Sequence, residues 1–356
     1  MRRLRLAVRV LSALLAFQFF GAPVHAADFA FGADLSFLRQ AEARGATFRD
    51  PTGPASGLEI FRRHHYNWIR LRLFVEPVQE GLPNSLAYTI AEAQEARKLG
   101  FKFLLDLHCA CSWADPAKQP TPPQWKNLSH HDRVAALHDY TRDTLAAFRA
   151  ADATPDMVQI GNEITHGMLW PDGRLPEHWD HFADFLRAGI AGVKDASGAA
   201  SRPRILLQFA EDGQTASTQY FFDKIEACKI PFDVIGFSYY PWWHGNLDQL
   251  RSNLAFAAHR YHKPIFVVET AYYWKPNSET RGKPLPFPET PEGQRDFLDA
   301  VTRAVMATPD GLGHGVFWWE PAVKGGLAAR GFFDNSGNAL PALNVFDHLA
   351  ATPETH

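Results

Sequence analysis

Two glutamates stand where acid–base and nucleophilic chemistry could be done. Glu163 closes the run DMVQIGNE and Glu269 closes PIFVVE. Hydrolysis of a glycosidic bond with retention needs one carboxyl group to protonate the leaving oxygen and a second, roughly 5 Å away, to attack the anomeric carbon. Asn162, just before Glu163, adds an amide that could hydrogen-bond a sugar hydroxyl beside the proton donor. A single strand-end glutamate is often only an ion-pair partner, so the case rests on the two together. A metal-dependent hydrolase would have to draw on His108, Cys109, Cys111 and the pair His130-His131. These lack a second segment with ligands two to four residues apart, so neither a metal nor another cofactor is expected.

Such carboxylates need a scaffold that aims them at one point. Eight short apolar runs, around FAFGADLS, NWIRLRLF, FKFLLDLH, DMVQIGNE, RILLQFA, DVIGFSYY, PIFVVET and GVFWWEP, alternate with amphipathic segments. SLAYTIAEAQEARKLG, closed by Gly100, and HDRVAALHDYTRDTLAAFRA read as two of the helices. The alternation predicts parallel α/β structure. Within the strands the polar residues keep to one parity, and therefore to one face. Arg70 and Arg72 oppose Ile69, Leu71 and Leu73; Asp106 and His108 oppose Phe103, Leu105 and Leu107. Gln159 and Glu163 oppose Val158 and Ile160, and Ser238 and Tyr240 oppose Ile235 and Phe237. A doubly wound open sheet would alternate similarly, but no glycine-rich phosphate turn follows the first strand. A single-domain (β/α)8 barrel, with these polar ends sharing one mouth, is the expected fold.

The N-terminus reads as an export leader over residues 1–26. A basic start, MRRLRLAVRV, precedes an apolar stretch too short to span a bilayer, and Val24-His25-Ala26 supplies small residues for cleavage. One catalytic domain, 27–356, then follows, expected to be secreted or periplasmic, monomeric and without lasting membrane association. A net charge of −3 with no basic block excludes a nucleic-acid partner, since phosphate neutralisation needs clustered Lys and Arg. Trp and Tyr at strand ends offer faces for sugar rings, whereas most Phe residues belong to the core. Cys109, Cys111 and Cys228 allow at most one disulfide. A Cys109–Cys111 bridge would be strained, so any bond would join one of them to Cys228.

Several blocks, in order, resemble the endo-β-1,4-galactanases of glycoside hydrolase family 53. They are FGADLS near Asp34, RLRLFVEP, LLDLH followed by SWADP and TPPQW, VQIGNE with GMLWP, the EDG at Glu211 to Gly213, FSYYP, VVET and FWWEP. The resemblance implies retaining, endo-acting cleavage of galactan or type I arabinogalactan, with Glu163 as acid/base and Glu269 as nucleophile. It assigns Asn162 to the 2-hydroxyl of the sugar being cleaved, and Arg72 and Tyr240 to orienting the nucleophile. Strand parity independently selects Tyr240 over Tyr239. His108, Trp113 and Trp319 would line the cleft, Trp319 as a floor for the ring, and Asp34 and Asp212 complete the substrate-binding set. Glu163 must then hold a proton while Glu269 is ionised, with Arg72 beside Glu269 and the charge of Glu269 raising the pKa of Glu163. The chain departs from the family at Cys109-Ala110-Cys111-Ser112, which replaces aromatic-Ser-Asp-Thr, at Glu76, where Asn is usual, and at Gln214, where an aromatic is common. These are binding positions, so the reaction is better specified than the sugar. Another β-linked galactoside or polysaccharide, or a non-catalytic carbohydrate-binding barrel, is the competing reading.

Overall fold

In the computed structural model each of the eight apolar runs is a strand. They are β1 (Ala30–Asp34), β2 (Trp68–Leu73), β3 (Lys102–Leu107), β4 (Met157–Ile160), β5 (Arg204–Phe209), β6 (Val234–Tyr239), β7 (Ile265–Thr270) and β8 (Gly313–Trp319). A principal helix follows each: α1 (Gly57–Arg63), α2 (Leu86–Lys98), α3 (His130–Ala150), α4 (Trp179–Ser197), α5 (Thr215–Ala227), α6 (Leu247–Tyr261), α7 (Pro291–Met306) and α8 (Val345–Ala351). The structure describes residues 29–77, 81–198, 202–210, 213–323 and 325–351, and the expected leader lies outside them. Parallel pairing of β1 with both β2 and β8 closes the sheet into a barrel, which rules out the open doubly wound alternative. Among the described residues no helix is long and apolar enough to cross a membrane.

The helix ends follow from local chemistry. Ser85 caps α2 by accepting from the Tyr88 amide, and Gly100 takes the positive φ of 81° that turns the chain toward β3. Ser129 caps α3 in the same way through the Asp132 amide.

Parity sorts the strand side chains as expected. Ala30, Trp68, Leu104, Met157, Leu206, Val234, Phe266, Val268 and Phe317 form a separate apolar cluster inside the barrel, while the opposite parity packs against the helices. Gly32 makes room for this filling, because a Cβ there would lie 2.4 Å from the Phe317 ring. The apolar plug occupies the lower barrel, so the polar residues of the same parity sit above it, toward the strands' C-terminal ends.

Strict alternation fails at both glutamates. β4 stops at Ile160, and the chain leaves it through Gly161 (φ 76°) and Glu163 (φ 47°), so Glu163 is aimed by a left-handed turn and does not continue the face of Gln159. In β7 the register against β6 runs Phe237 to Val267 and then Ser238 to Glu269, leaving Val268 as an extra residue. This bulge lets Val268 face the apolar plug while its neighbour Glu269 reaches the mouth.

Candidate active site

Arg70 of β2 is buried among partners drawn from five other strands or their ends. Its Nη1 donates to Asp34 Oδ2 and Glu269 Oε2, both at 2.9 Å. Its Nη2 donates to Asn162 Oδ1 at 2.8 Å and to Gln208 Oε1 at 3.3 Å, and pairs with Asp106 Oδ2 at 2.9 Å. Burial alone would disfavour the charge on Arg70, but Asp106, Glu269 and Asp34 outweigh it and its pKa is raised. Burial likewise works against the Asp106 carboxylate, and Arg70 and His108 more than compensate, holding it below the usual range.

Three donors converge on Glu269. Oε2 accepts from Arg70 and from Gln208 Nε2 at 3.2 Å, and Oε1 accepts from the Tyr240 hydroxyl at 2.8 Å. Burial and then the adjacent Glu269 charge push the Tyr240 phenol up, so it remains a donor.

Glu163 sits in a different environment. Burial, and next the negative charge of Glu269, push its carboxyl well above the usual range, against weaker opposition from the Ser238 hydroxyl and Arg70. Its backbone N–H donates to Gln208 Oε1 at 3.0 Å, and Gln208 Nε2 donates to Ser238 Oγ at 2.9 Å. Ser238 and Gln208 thus bridge the two glutamates. Gly161 is needed for the turn, since besides its positive φ a Cβ there would lie 2.5 Å from Ile164.

Both glutamates open on a cleft of about 680 Å³, the size expected of a small-molecule or oligosaccharide site. Arg72, His108, Trp113, Asn162, Tyr240 and Trp319 line it as well. Trp113 and Trp319 stand 6.1 Å apart, centroid to centroid, and Trp243 adds an aromatic face that is 49% exposed. His108 accepts from the Ala114 amide at Nδ1 (3.3 Å) and turns Nε2 toward Asp106 at 3.1 Å, which fixes its tautomer.

Two sequence-derived assignments need correction, and a third lies outside the described residues. Arg72 does not reach Glu269: it donates to Glu320 Oε1 at 2.7 Å and stacks 4.4 Å from the Trp113 ring, and Arg70 takes the role expected of it. The two arginines share a face but differ by two residues, about 6.6 Å along the strand. Pairing of Asp34 with Arg70 shows which one lies level with the network. Asp34 is fully buried beneath the cleft, where it accepts from Arg70 and Ser36, and is out of a sugar's reach. Asp212, with Glu211, lies outside the described residues. The three thiols are free, and burial pushes Cys109 up to about 12. Parity put Arg70 on the face of the mouth but gave it no role, and Gln208 and Arg330 were not singled out by sequence. Gln208 carried a usable signal, since it is a polar residue one short of the end of β5, in an otherwise apolar run. Arg330 comes from the segment after β8, which has no periodicity to betray it, yet it lies 5.0 Å from the Trp319 ring and donates to the Tyr273 hydroxyl at 2.7 Å.

A model of glycosyl hydrolase family 53 matches residues 30–346. The chain belongs to that family. This family 53 protein is therefore a glycoside hydrolase, and its barrel agrees with solved members. The Ignisphaera aggregans GH53 catalytic domain superposes with a TM-score of 0.82 at 32% identity, covering 92% of this chain and 98% of that one. An arabinogalactan endo-β-1,4-galactanase of Cellvibrio japonicus is 33% identical over 345 residues, 89% of this chain and 90% of the relative. An uncharacterized protein of Niallia circulans is 42% identical over 312 residues, 83% and 84% of the two chains.

Proposed function

We propose that this protein cleaves β-1,4-galactosidic bonds within galactan or type I arabinogalactan by double displacement. Glu163 is the acid/base and Glu269 the nucleophile. The observation that supports this most is the contrast between the two carboxyls in one cleft. Glu163 is pushed up by burial and by its neighbour's charge, suiting a proton donor, while Glu269 accepts from Arg70, Gln208 and Tyr240, which fix the direction of its oxygens. In the first step Glu163 protonates the leaving oxygen as Glu269 attacks the anomeric carbon. In the second, Glu163, now a carboxylate, takes a proton from water as it displaces Glu269, with net retention. Trp113 and Trp319 offer faces to the sugar rings, Asn162 stands beside the proton donor for the 2-hydroxyl, and His108 and Arg72 border the same space.

Incubation with a panel of β-linked plant polysaccharides, followed by product sizing and anomeric analysis, tests the reading. Short oligosaccharides from galactan, released with retained configuration, are expected, and Glu269→Ala should abolish turnover while leaving oligosaccharide binding largely intact. Inverted products would overturn the mechanism. Silence on galactan with cleavage elsewhere would point to the Cys109–Cys111 segment as a change of substrate, and binding without cleavage of any polymer would leave a carbohydrate-binding barrel. Residues 1–26 are proposed as a leader for export to the periplasm or medium, and the mature domain as a monomer. N-terminal sequencing of exported protein and light scattering check these two points.

A further inference from the structure

Outside the cleft, three ligating side chains from three elements converge. His130 opens α3, His181 lies in the first turn of α4, and Asp172 sits in the turn of a short hairpin, Gly167–Met168 with Gly173–Arg174. One ligand atom from each lies within 4.8 Å of the others. His130 Nδ1 is 3.0 Å from Asp172 Oδ2, and His181 Nδ1 is 2.8 Å from Asp172 Oδ1. The two imidazoles stack with centroids 3.8 Å apart and planes 18° from parallel. We propose that His130, Asp172 and His181 form a Zn²⁺ site that fastens this hairpin to α3 and α4.

The donor set is the first argument. Two imidazoles and a carboxylate suit zinc, with a water in the fourth position. Bonds of about 2.0–2.1 Å in a tetrahedron set ligand atoms about 3.3 Å apart; the two Nδ1 atoms stand 2.8 and 3.0 Å from the two different Asp172 oxygens, and since a metal lies near the plane of each imidazole it binds, the near-parallel rings must swing apart for one ion to take both nitrogens. The outer partners are the second argument. His130 Nε2 lies 3.4 Å from Asp184 Oδ2, the carboxylate–histidine arrangement that orients metal-bound imidazoles. Arg133 donates to Asp172 and is itself anchored on the carbonyls of Trp125, Lys126 and Leu128, which fixes the carboxylate's position. Third, both nitrogens of His130 face carboxylate oxygens. A neutral imidazole carries one N–H, so serving both oxygens takes a second positive centre on the ring, either a proton or a cation at Nδ1. The side chains are only 14–34% exposed, so the fold gathers the three ligands in one place. The sequence raised His130 as a possible ligand but set it beside His131 and expected no metal, because Asp172 and His181 are far downstream.

The site would reach the chemistry through the backbone. Trp170, in the same hairpin turn, donates its amide to the Gln119 carbonyl at 2.7 Å, and Gln119 Nε2 donates to the carbonyls of Asn162 and Glu163 at 2.8 and 3.2 Å. A bound ion would stiffen the segment that carries Glu163.

The test uses tag-free full-length mature protein stripped with a chelator and titrated with Zn²⁺ by calorimetry, with Co²⁺ as a spectroscopic probe. The expected result is one ion per chain and a Tm that rises with Zn²⁺. Asp184→Asn should weaken binding about 10- to 100-fold, as loss of an outer partner does, and His181→Ala more than that, with the Tm response lost. Absence of stoichiometric binding, or His181→Ala binding as wild type does, would overturn the proposal in favour of an imidazole–carboxylate pair only. Should His181→Ala not fold, the wild-type Co²⁺ spectrum decides: intense tetrahedral visible bands support the site, and a weak six-coordinate spectrum sinks it.

Discussion

Exchanging either buried arginine for lysine separates two readings of the mouth. Lysine keeps the charge but replaces a five-donor fork by a compact ammonium, so Arg70→Lys cannot serve Asp34, Glu269, Asp106 and Asn162 together. Loss of the 2.9 Å bond to Glu269 removes a hydrogen bond to a charged group, worth about 1.5–3 kcal/mol. If that bond orients the nucleophile, kcat/KM falls about 10- to 150-fold, chiefly through kcat. Arg72→Lys loses instead the pair with Glu320 and the stacking on Trp113. Cation–π contact of this kind contributes about 0.5–2 kcal/mol, and it would be felt in KM through the tilt of Trp113. Initial-rate kinetics on a galacto-oligosaccharide of fixed length, with Tm measured in parallel, give both numbers. Equal loss of kcat in two folded variants would refute the division of labour, and a larger loss in Arg72→Lys would reverse it.

Glu163→Gln keeps the shape but removes the proton, and should lower kcat on galactan about 10²- to 10⁴-fold while barely slowing the first step on an aryl galactoside with a good leaving group. Equal losses on both substrates would count against the acid role. Gln208→Leu strands the Glu163 amide and frees Ser238; urea unfolding should show a loss of about 1–3 kcal/mol, together with a moved alkaline limb of the kcat profile, and an unmoved limb would deny Gln208 a part in tuning Glu163. Glu320, raised to about 8 by burial and by Asp34 against the pull of Arg72, binds its proton more tightly folded than unfolded. Its contribution to stability is therefore complete below its ordinary value of 4.5 and lost as pH rises through about 8. Glu320→Gln should flatten the decline of Tm across that window, and parallel Tm curves for variant and wild type would contradict the shift.

The barrel was legible because burial on two faces imposes a two-residue alternation that sequence displays directly. Asp106, His108, Ser238 and Tyr240 all lie where parity put them, and Tyr240 reaches Glu269 while Tyr239 turns away to the Gly245 carbonyl. Alternation assigns a face but says nothing about height. Arg70 and Arg72 are equivalent by parity and differ by one layer, which only the stagger between neighbouring strands resolves. Asp34, credited with a sugar contact, was misjudged for the same reason, being one layer too low. The left-handed turn at Glu163 and the extra residue at Val268 break the pattern itself, and of these only Gly161 left a mark in the sequence. His130 and Asp172 come together through helix and loop packing, which no local period encodes.

The Arg70 network also bears on how this protein could be re-engineered. Its members come from six strands or their ends, and each satisfies at least one other, so a change at any of them must be met by changes at several more. The wall of the cleft from Trp113 to Lys118 is a loop, tied to the machinery by Trp113 against Arg72, by the Ala114 carbonyl accepting from Asn162 and by the charge of Asp115 near Glu163, while Pro116, Ala117 and Lys118 only line the space. A combinatorial library confined to 116–118 would thus sample sugar preference against constant bond-breaking machinery, whereas one spread over the partners of Arg70 would mostly return chains that do not fold.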